Sequence, residues 1–298
     1  MNSHTKPRVV FLGNHTVGVR TLEVLDEHAD LAAVVAHPDD PEDGVVYESV
    51  AQWAVRRGIP CVRAAGRDAR LREFVELHEP ALLWIADYRY LLPADLLALA
   101  PRGAVNLHPS LLPAYRGRAP LNWAILNGET ELGLSAHFVD AGADTGDLIE
   151  QRRFELRDDQ DVGDALALLY PLYAELTRDV LRQFERGRVR RRPQDASRAS
   201  EFPRRRPADG EIDWTRDARS VHNLVRAVAW PYPGAFCEHA GRRLRVWKSR
   251  VLDEPAGAAP GTLLSARPNE LVFACGRGRL RVLAWTYESG ADALRRAA

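Results

Sequence analysis

The chain has 298 residues, and its hydrophobic fraction of 46% and charged fraction of 28% are typical of a soluble globular protein. Its 41 basic and 41 acidic residues cancel, which argues against a protein whose main partner is a large polyanion. No run approaches the roughly 18 consecutive apolar residues of a membrane span, and the polar N-terminus is unlike a signal peptide, so we expect a cytoplasmic protein.

Strands and helices alternate along the first part of the sequence. Short apolar runs are typical of buried strands, and the stretches between them carry apolar residues at helical spacing. The predicted elements, in chain order, are strand 8–13, helix 17–26, strand 31–36, helix 49–57, strand 60–63, helix 68–77, strand 81–86, helix 93–99 and strand 104–107. This repeated strand–helix–strand pattern predicts an α/β fold with a doubly wound, Rossmann-like parallel sheet.

The remainder of the chain changes character twice. A strand at 133–139 and a long helix at 164–184 complete a first domain, predicted over residues 1–185. Residues 186–206 are rich in arginine, proline and serine and are predicted to form a linker. Residues 207–298 are predicted to form a small β-barrel, because short strands alternate with glycine turns. Its predicted elements are a helix at 218–228 and strands at 235–239, 244–251, 271–274 and 280–286.

Two polar residues mark the end of the predicted strand at 104–107. Asn106 and His108 are two positions apart, so their side chains leave the same face of the strand. Pro109 cannot continue a central ladder, which puts both residues at the carboxyl end of the sheet, where open α/β sheets bind ligands. An acidic loop with glycines, Asp140–Asp147, can bring a carboxylate to the same edge.

An amide, an imidazole and a carboxylate at one edge suit the attack of an amine on a carbonyl carbon. The amide stabilises an oxyanion, the imidazole moves a proton near neutral pH, and the carboxylate orients the imidazole. Residue types alone leave open that the histidine is structural and that the loop is an ordinary turn. Three scattered cysteines, and histidines without ligand spacing, give no sign of a metal site, so none is expected.

Several short motifs surround these residues. They are Asn106-Leu-His108, Ser110-Leu-Leu-Pro113 and Asp144-Thr-Gly146, followed in the second domain by Asp209-Gly-Glu-Ile-Asp-Trp214 and Pro231-Tyr-Pro-Gly-Ala-Phe236. This combination resembles the 10-formyltetrahydrofolate-dependent formyltransferases. The resemblance implies a one-carbon transferase with Asn106, His108 and Asp144 as catalytic residues, and a Rossmann-like domain followed by an OB-like barrel. It also implies that two loops grip the folate donor, through Tyr88, Arg89, Tyr90, Leu91, Leu92, Asp140 and Ala141.

The acceptor amine is predicted from the same family likeness. Methionyl-tRNA formyltransferases generally carry a basic loop after the second strand, whereas the segment His37–Glu48 here has five acids and no lysine or arginine. The run Tyr115–Ala124 resembles instead the formyltransferase that acts on UDP-4-amino-4-deoxy-L-arabinose, which implies a nucleotide-linked 4-amino sugar. The residues predicted to bind the acceptor are Asn14, Ser110, Arg116 and Arg118. Guanidinium groups pair with diphosphate oxygens, although the two arginines serve equally well to brace the loop.

Other functions stay open at this point. The acceptor can be an amino acid or a hydroxyornithine-type amine of siderophore assembly, or a methionyl-tRNA contacted by the arginines of the linker. A non-catalytic folate-binding protein is the alternative outside the enzymes, although it would not need a titratable pair beside the formyl group. The C-terminal barrel can act as an accessory domain or as the surface of a homodimer.

Overall fold

The computed structural model describes residues 6–38 and 47–288 of the chain. Contacts within this part of the chain separate it into two compact units. Of the described residues, the first unit includes 6–38, 47–120, 132–154 and 167–203, and the second includes 121–131, 155–166 and 204–288. Each unit is built around its own β-sheet.

A mostly parallel sheet forms the centre of the first unit. Among the described residues its strands are β1 (Arg8–Gly13), β2 (Asp30–Ala36), β3 (Cys61–Arg63), β4 (Leu82–Ala86), β5 (Ala104–His108), β7 (Glu131–Phe138) and β8 (Leu148–Glu155). Their order is β3-β2-β1-β4-β5-β7-β8, with parallel pairing from β3 to β5 and antiparallel pairing of β5 with β7. Two short strands, β6 (Arg116–Gly117) and β9 (Glu201–Phe202), pair with each other in parallel outside this sheet.

The middle strands of this sheet are apolar on both faces, as expected for parallel strands that are covered on both sides. Every residue of β4 is buried, and so are the five residues that follow Arg8 in β1. On one face Val10, Leu12, Leu83 and Ile85 belong to a single apolar core. Because burial of this surface drives folding, it fixes the carboxyl ends of β1, β4 and β5 side by side.

The described residues contain seven α-helices. They are α1 (His15–His28), α2 (Val50–Arg56), α3 (Ala69–Leu77), α4 (Ala94–Leu97), α5 (Pro120–Leu126), α6 (Val162–Glu185) and α7 (Ala218–Ala227). Three of them begin after a residue whose side-chain oxygen accepts a backbone N–H of the first turn, namely Ser49, Asp68 and Asp217. Within residues 6–38 and 47–288, no helix combines the length and the apolar character needed to cross a membrane.

An antiparallel sheet forms the centre of the second unit. Its strands are β10 (Ala235–His239), β11 (Arg242–Leu252), β12 (Leu263–Arg267), β13 (Glu270–Ala274) and β14 (Arg279–Tyr287), in the order β10-β11-β14-β13-β12. Helix α7 packs against β11, and His222 of this helix lies 2.8 Å from the hydroxyl of Ser249 on that strand. The guanidinium of Arg226, also on α7, donates to the carbonyl oxygens of Arg157 and Gln160.

The predicted fold class is confirmed, since a Rossmann-like sheet with helices is followed by a small, barrel-like antiparallel domain. Most predicted elements lie within one or two residues of their observed bounds. Three longer elements were not predicted: α5, β8 and β12. The segment predicted as a linker also carries more structure than its composition indicates, because it contains β9 and a short 3-10 helix, Ala196–Arg198.

Candidate active site

The pairing of β5 with β7 brings two polar residues of β7, Ser135 and His137, beside Asn106 and His108. In this antiparallel register Asn106 lies opposite His137, and His108 lies opposite Ser135. Asn106 and His108 occupy alternate positions of β5, so they share a face as the sequence predicts. The edge that they occupy is the carboxyl end of the parallel strands, which is the usual location of ligand sites in such sheets.

Asp144 reaches this edge from the loop that follows β7. Its backbone has a φ of 54°, in the left-handed region that costs a non-glycine residue about 1 kcal/mol or more. One carboxylate oxygen, Oδ1, accepts from the side-chain amide of Asn106 at 3.2 Å. The other, Oδ2, accepts from the backbone N–H of Gly117 at 2.9 Å and lies 3.5 Å from Nδ1 of His108. The three side chains predicted to be catalytic therefore lie together.

The surroundings of His108 determine where its proton sits. Nε2 lies 2.8 Å from the carbonyl oxygen of Tyr115, which can only accept, so this nitrogen carries a proton. In the neutral ring the lone pair is then on Nδ1, on the side of Asp144. Burial lowers the pKa of His108, and the Asp144 carboxylate offsets this only in part, so the ring is neutral at pH 7.

The carboxylate of Asp144 stays ionised in this environment. Burial alone would raise its pKa, but the nearby imidazoles of His108 and His137 and the hydrogen bond donated by the N–H of Gly117 outweigh burial and hold the pKa of Asp144 well below its ordinary value. A neutral imidazole thus faces a permanent negative charge. This arrangement stabilises an imidazolium as soon as the ring takes up a proton.

His137 is a member of this cluster that sequence reasoning missed. Its Nδ1 lies 2.7 Å from the carbonyl oxygen of Phe138 and therefore carries the ring proton. Its Nε2 accepts from the side-chain amide of Asn106 at 3.1 Å and lies 3.5 Å from Oδ1 of Asp144. A lone histidine in an otherwise apolar strand was the signal available in the sequence. Its pairing with Asn106 depends on the register of β7, which the sequence does not reveal.

The loop after β4 contains the first group of residues predicted to contact the folate. Tyr88 donates its hydroxyl proton to the carbonyl oxygen of Ala64 at 2.8 Å, and burial raises the pKa of this phenol. The backbone N–H of Arg89 donates to Nε2 of His37 at 2.9 Å. The rings of Tyr88 and Tyr90 meet edge to face, and Leu91 is exposed while Leu92 is buried. The loop thus presents an aromatic pair and one exposed apolar side chain.

The second group lies next to Asp144. Asp140 accepts from the backbone N–H of Gly142 at 3.0 Å and from the hydroxyl of Thr145, so its carboxylate stabilises its own turn. Ala141 is exposed at the tip of this turn. A backbone grip on a ligand is compatible with these contacts, because they occupy the carboxylate and not the tip of the loop.

The four residues predicted to bind the acceptor have different surroundings. Asn14 precedes α1 and makes no side-chain capping bond to that helix. Ser110 is buried, and its hydroxyl donates to the carbonyl oxygen of Ala114 at 2.8 Å. Arg116 donates to Oε1 of Gln194 at 2.8 Å, and Arg118 donates to the carbonyl oxygen of Arg89 at 3.2 Å. Both arginines thus make contacts that brace loops, the alternative role considered for them above.

Two further expectations concern the surroundings of the site. The acidic segment His37–Glu48 falls largely on residues 39–46, which lie outside the described residues. In the part of the chain that the structure describes, no group of three or more histidine, cysteine, aspartate or glutamate side chains is arranged to hold a metal ion.

Comparisons with known proteins agree with this architecture. A family model described as formyl transferase matches residues 8–167, and a second, described as the C-terminal domain of formyl transferase, matches residues 205–292. Among solved structures, the sugar 3N-formyl transferase WlaRD, crystallised with dTDP and 5-N-formyl-THF, is 18% identical with a TM-score of 0.74. The alignment covers 95% of this chain and 99% of WlaRD.

Two other solved structures share the fold. An N-formyltransferase from Helicobacter canadensis, in complex with folinic acid and dTDP-3-aminofucose, is 18% identical with a TM-score of 0.72, over 94% of this chain and 100% of that one. A methionyl-tRNA formyltransferase from Clostridium thermocellum is 17% identical with a TM-score of 0.58, over 95% and 99% of the two chains. At these identities the likeness extends to the fold, and it includes proteins with different acceptors.

Proposed function

Because the chain belongs to the formyl transferase family, we propose that it transfers the formyl group of 10-formyltetrahydrofolate to the amine of a nucleotide-linked amino sugar. The observation that carries the proposal is the contact of Asp144 with both Asn106 and His108 at the carboxyl edge of the sheet. The folate donor is supported by two neighbours of the same fold, which hold 5-N-formyl-THF or folinic acid.

The acceptor class is supported by the same neighbours. One is a sugar 3N-formyl transferase with dTDP, and the other is in complex with dTDP-3-aminofucose. The names of these two neighbours refer to an amine at carbon 3 of the sugar, whereas the motif after Ser110 resembles an enzyme for a 4-amino sugar. The nucleotide-linked amino sugar is therefore the proposal, and the position of its amine is an outcome of the test.

The first step of the proposed reaction is attack of the neutral amine on the formyl carbon. A carbon–nitrogen bond forms, the carbonyl oxygen becomes an oxyanion, and the amine nitrogen gains a positive charge. Asn106 stabilises the oxyanion through its side-chain amide, exchanging one of its long contacts, 3.1 Å to His137 or 3.2 Å to Asp144, for the substrate.

Proton transfer completes the reaction. His108 takes the proton of the amine at Nδ1, and the resulting imidazolium, which helps to stabilise the oxyanion, is held by Asp144 and the carbonyl of Tyr115. The proton then passes, directly or through water, to N10 of the folate. The bond between N10 and the formyl carbon breaks, and the products are tetrahydrofolate and an N-formyl sugar.

A turnover assay tests the acceptor class. The protein is supplied with 10-formyltetrahydrofolate and, in parallel, dTDP-linked 3-amino and 4-amino sugars, a UDP-linked 4-amino sugar and methionyl-tRNA, while tetrahydrofolate release is followed. We expect turnover with at least one sugar nucleotide and none with the tRNA. Turnover with methionyl-tRNA alone would contradict the proposed acceptor.

The roles of Asn106 and His108 have their own test. We expect Asn106→Ala to lower kcat by about 100- to 1,000-fold, the usual effect of removing an oxyanion donor. We expect His108→Ala to lower kcat by about 100- to 10,000-fold, because it removes the proton carrier. Circular dichroism and folate binding serve as controls for folding. Near-parental turnover in either variant would refute the assignment.

We propose that the catalytic domain covers residues 1–185, the linker 186–206 and the C-terminal domain 207–298, and that the enzyme acts in the cytoplasm. Cys61, Cys237 and Cys275 are all free thiols, which is typical of a reducing compartment. We also propose that the protein forms a homodimer through its C-terminal domain. Gel filtration with light scattering tests this oligomeric state.

A further inference from the structure

Residues 192–202, here called the strap, run along the two loops that carry the candidate site. At its start, the backbone of Arg192 exchanges two hydrogen bonds with that of Leu148, at 2.8 and 3.0 Å. At its end, Ser200 and Phe202 accept from the backbone N–H groups of Arg116 and Arg118 at 2.8 and 2.9 Å. The strap therefore joins the loop after β5 to the strand β8.

Gln194 lies between these two anchoring points and contacts both catalytic loops. Its Nε2 donates to the carbonyl oxygens of Asp144 at 2.8 Å and Gly146 at 2.7 Å. Its Oε1 accepts from Arg116, at 2.8 Å from Nη2 and 3.2 Å from Nε. One side chain thus ties the backbone that carries Asp144 to the loop that follows His108.

The chemistry at this position calls for a primary amide. Two carbonyl oxygens require a donor on one side, and a guanidinium requires an acceptor on the other. A carboxylate of the same shape satisfies Arg116 but places an oxygen against the carbonyls of Asp144 and Gly146. If the amide is lost, the carbonyl oxygens of Asp144 and Gly146 lose their hydrogen-bond donor. They cannot bond to each other, because peptide carbonyls only accept.

The strap also supports the second partner of His108. Tyr115, whose carbonyl oxygen accepts from Nε2 of His108, has a φ of 61° and donates its own N–H to the hydroxyl of Ser200 at 3.0 Å. The ring of Tyr115 stacks on that of Phe202 with centroids 5.0 Å apart. Both acceptors that face His108, Tyr115 and Asp144, are therefore held in left-handed conformations by residues of the strap.

We propose that Gln194 is a positioning residue for formyl transfer, which keeps the carboxylate of Asp144 against His108 and Asn106 by holding the backbone of Asp144 and Gly146. The proposal rests on the proposed function only for its effect on turnover. The distance that Gln194 is proposed to maintain, between Asp144 and His108, does not depend on which acceptor the enzyme uses. Loss of the groups that orient metal ligands in this way usually changes activity by about 10- to 100-fold, and we expect an effect of the same order here.

The kinetic test compares Gln194→Glu and Gln194→Ala with Gln183→Ala. Gln183 accepts from the backbone N–H of Arg190 at 3.0 Å, so its loss removes a similar bond near the strap without touching either catalytic loop. We expect both Gln194 variants to lower kcat by about 10- to 100-fold with little change in the KM of the folate, and the control to keep parental values. Parental kcat in Gln194→Glu, or an equal loss in the control, would overturn the proposal.

The second test follows the ring of His108 by NMR titration of histidine-labelled protein, with the signal assigned from its loss in His108→Gln. Because Asp144 favours the imidazolium, we expect the midpoint of His108 to lie at lower pH in Gln194→Ala, which adds no charge of its own, than in the parent and the control. An unchanged midpoint would overturn the proposal. If the parent transfers formyl groups to none of the acceptors, the proposed function fails, and this titration alone still decides the role of Gln194.

Discussion

Every side chain of the candidate cluster has at least two polar neighbours within 3.5 Å, counting backbone groups. The cluster consists of Asn106, His108, His137 and Asp144. Asn106 donates to both His137 and Asp144, which uses the two hydrogens of its amide. His137 in turn is fixed by the carbonyl of Phe138. The orientation of Asn106 is therefore set from both sides, and we expect His137 to affect the reaction through Asn106.

Replacement of His137 tests this dependence. We expect His137→Leu to lower kcat by about 10-fold or more, because the amide of Asn106 loses an acceptor and rotates away from the formyl oxygen. The measurement is kcat at saturating donor and acceptor. The control is His222→Gln, which removes another buried histidine that contacts a carbonyl oxygen, that of Asp158, in the second unit. This control should lower thermal stability and leave kcat unchanged, and parental kcat in His137→Leu would contradict the role.

At the scale of elements, the site depends on how closely the loop after β7 approaches its own strand. Gly146 lies two residues after Asp144 in the predicted motif. A Cβ atom on residue 146 would lie 1.9 Å from the carbonyl oxygen of Phe138. No real Cβ contact is that short, so any side chain must push the loop away from β7. The glycine of the motif is thus required by the close approach of two backbones.

Gly146→Ala should therefore displace Asp144 from His108. We expect a loss of kcat of about 100-fold, the usual consequence of moving a catalytic group by about 1 Å. Gly58→Ala is the matched control, because Gly58 has a φ of +67° but open space around its Cβ position. The control should cost about 1 kcal/mol of the free energy of unfolding and keep its kcat. Equal kcat in the two variants would show that the approach is not critical.

Local pattern predicted most elements of the first unit, because its strands are continuous apolar runs and two of its helices begin at capping residues. The same reasoning missed β8, whose sequence Leu-Ile-Glu-Gln-Arg-Arg-Phe-Glu is mostly polar and only partly buried after its first two residues. It also missed α5, which has only seven residues, and β12, which lies largely at the surface. β8 and β12 pair with the strands next to them in the sheet, β7 and β13, and this pairing rather than an apolar pattern of their own gives them their conformation.

In the candidate site, too, local motifs predicted some of the residues and missed others. Asn106, His108 and Asp144 were predicted from motif and family likeness, and the structure brings them together. The contact between Gln194 and the loop of Asp144 joins residues 50 positions apart, and no local pattern reports it. Arginine-rich composition predicted a linker over this segment, whereas hydrogen bonds from the catalytic loops give part of it a defined conformation.

At the scale of the whole molecule, buried histidines connect protonation to stability. Burial lowers the pKa of His37 to about 4, against an ordinary value near 6.5, and burial also lowers the pKa of His108 and His222. The unfolded chain therefore binds more protons than the folded one between pH 6.5 and 4. The stability that these neutral rings contribute is complete above pH 6.5 and is lost as the pH falls toward 4.

Acid denaturation tests the contribution of His37. By this linkage, protonation costs the folded state about 3 kcal/mol at the low end of the range. We expect His37→Gln, which is neutral throughout, to lose about 2 to 3 kcal/mol less of its free energy of unfolding than the parent between pH 7 and pH 4. Urea denaturation at both pH values measures the difference, and His28→Gln, at the partly exposed end of α1, is the control. Equal losses in parent and His37→Gln would contradict the linkage.

The strap has a consequence for the order in which the enzyme is made. A ribosome that has released 185 residues has already synthesised Asn106, His108, His137 and Asp144, yet the amide of Gln194 and the hydroxyl of Ser200 are still to come. A nascent domain can close its sheet at that stage, since folding proceeds from the N-terminus during synthesis. Its catalytic loops acquire their final hydrogen bonds only after residue 202 leaves the exit tunnel. The loops that carry the candidate site therefore depend for part of their geometry on a segment that is made after all four of these side chains.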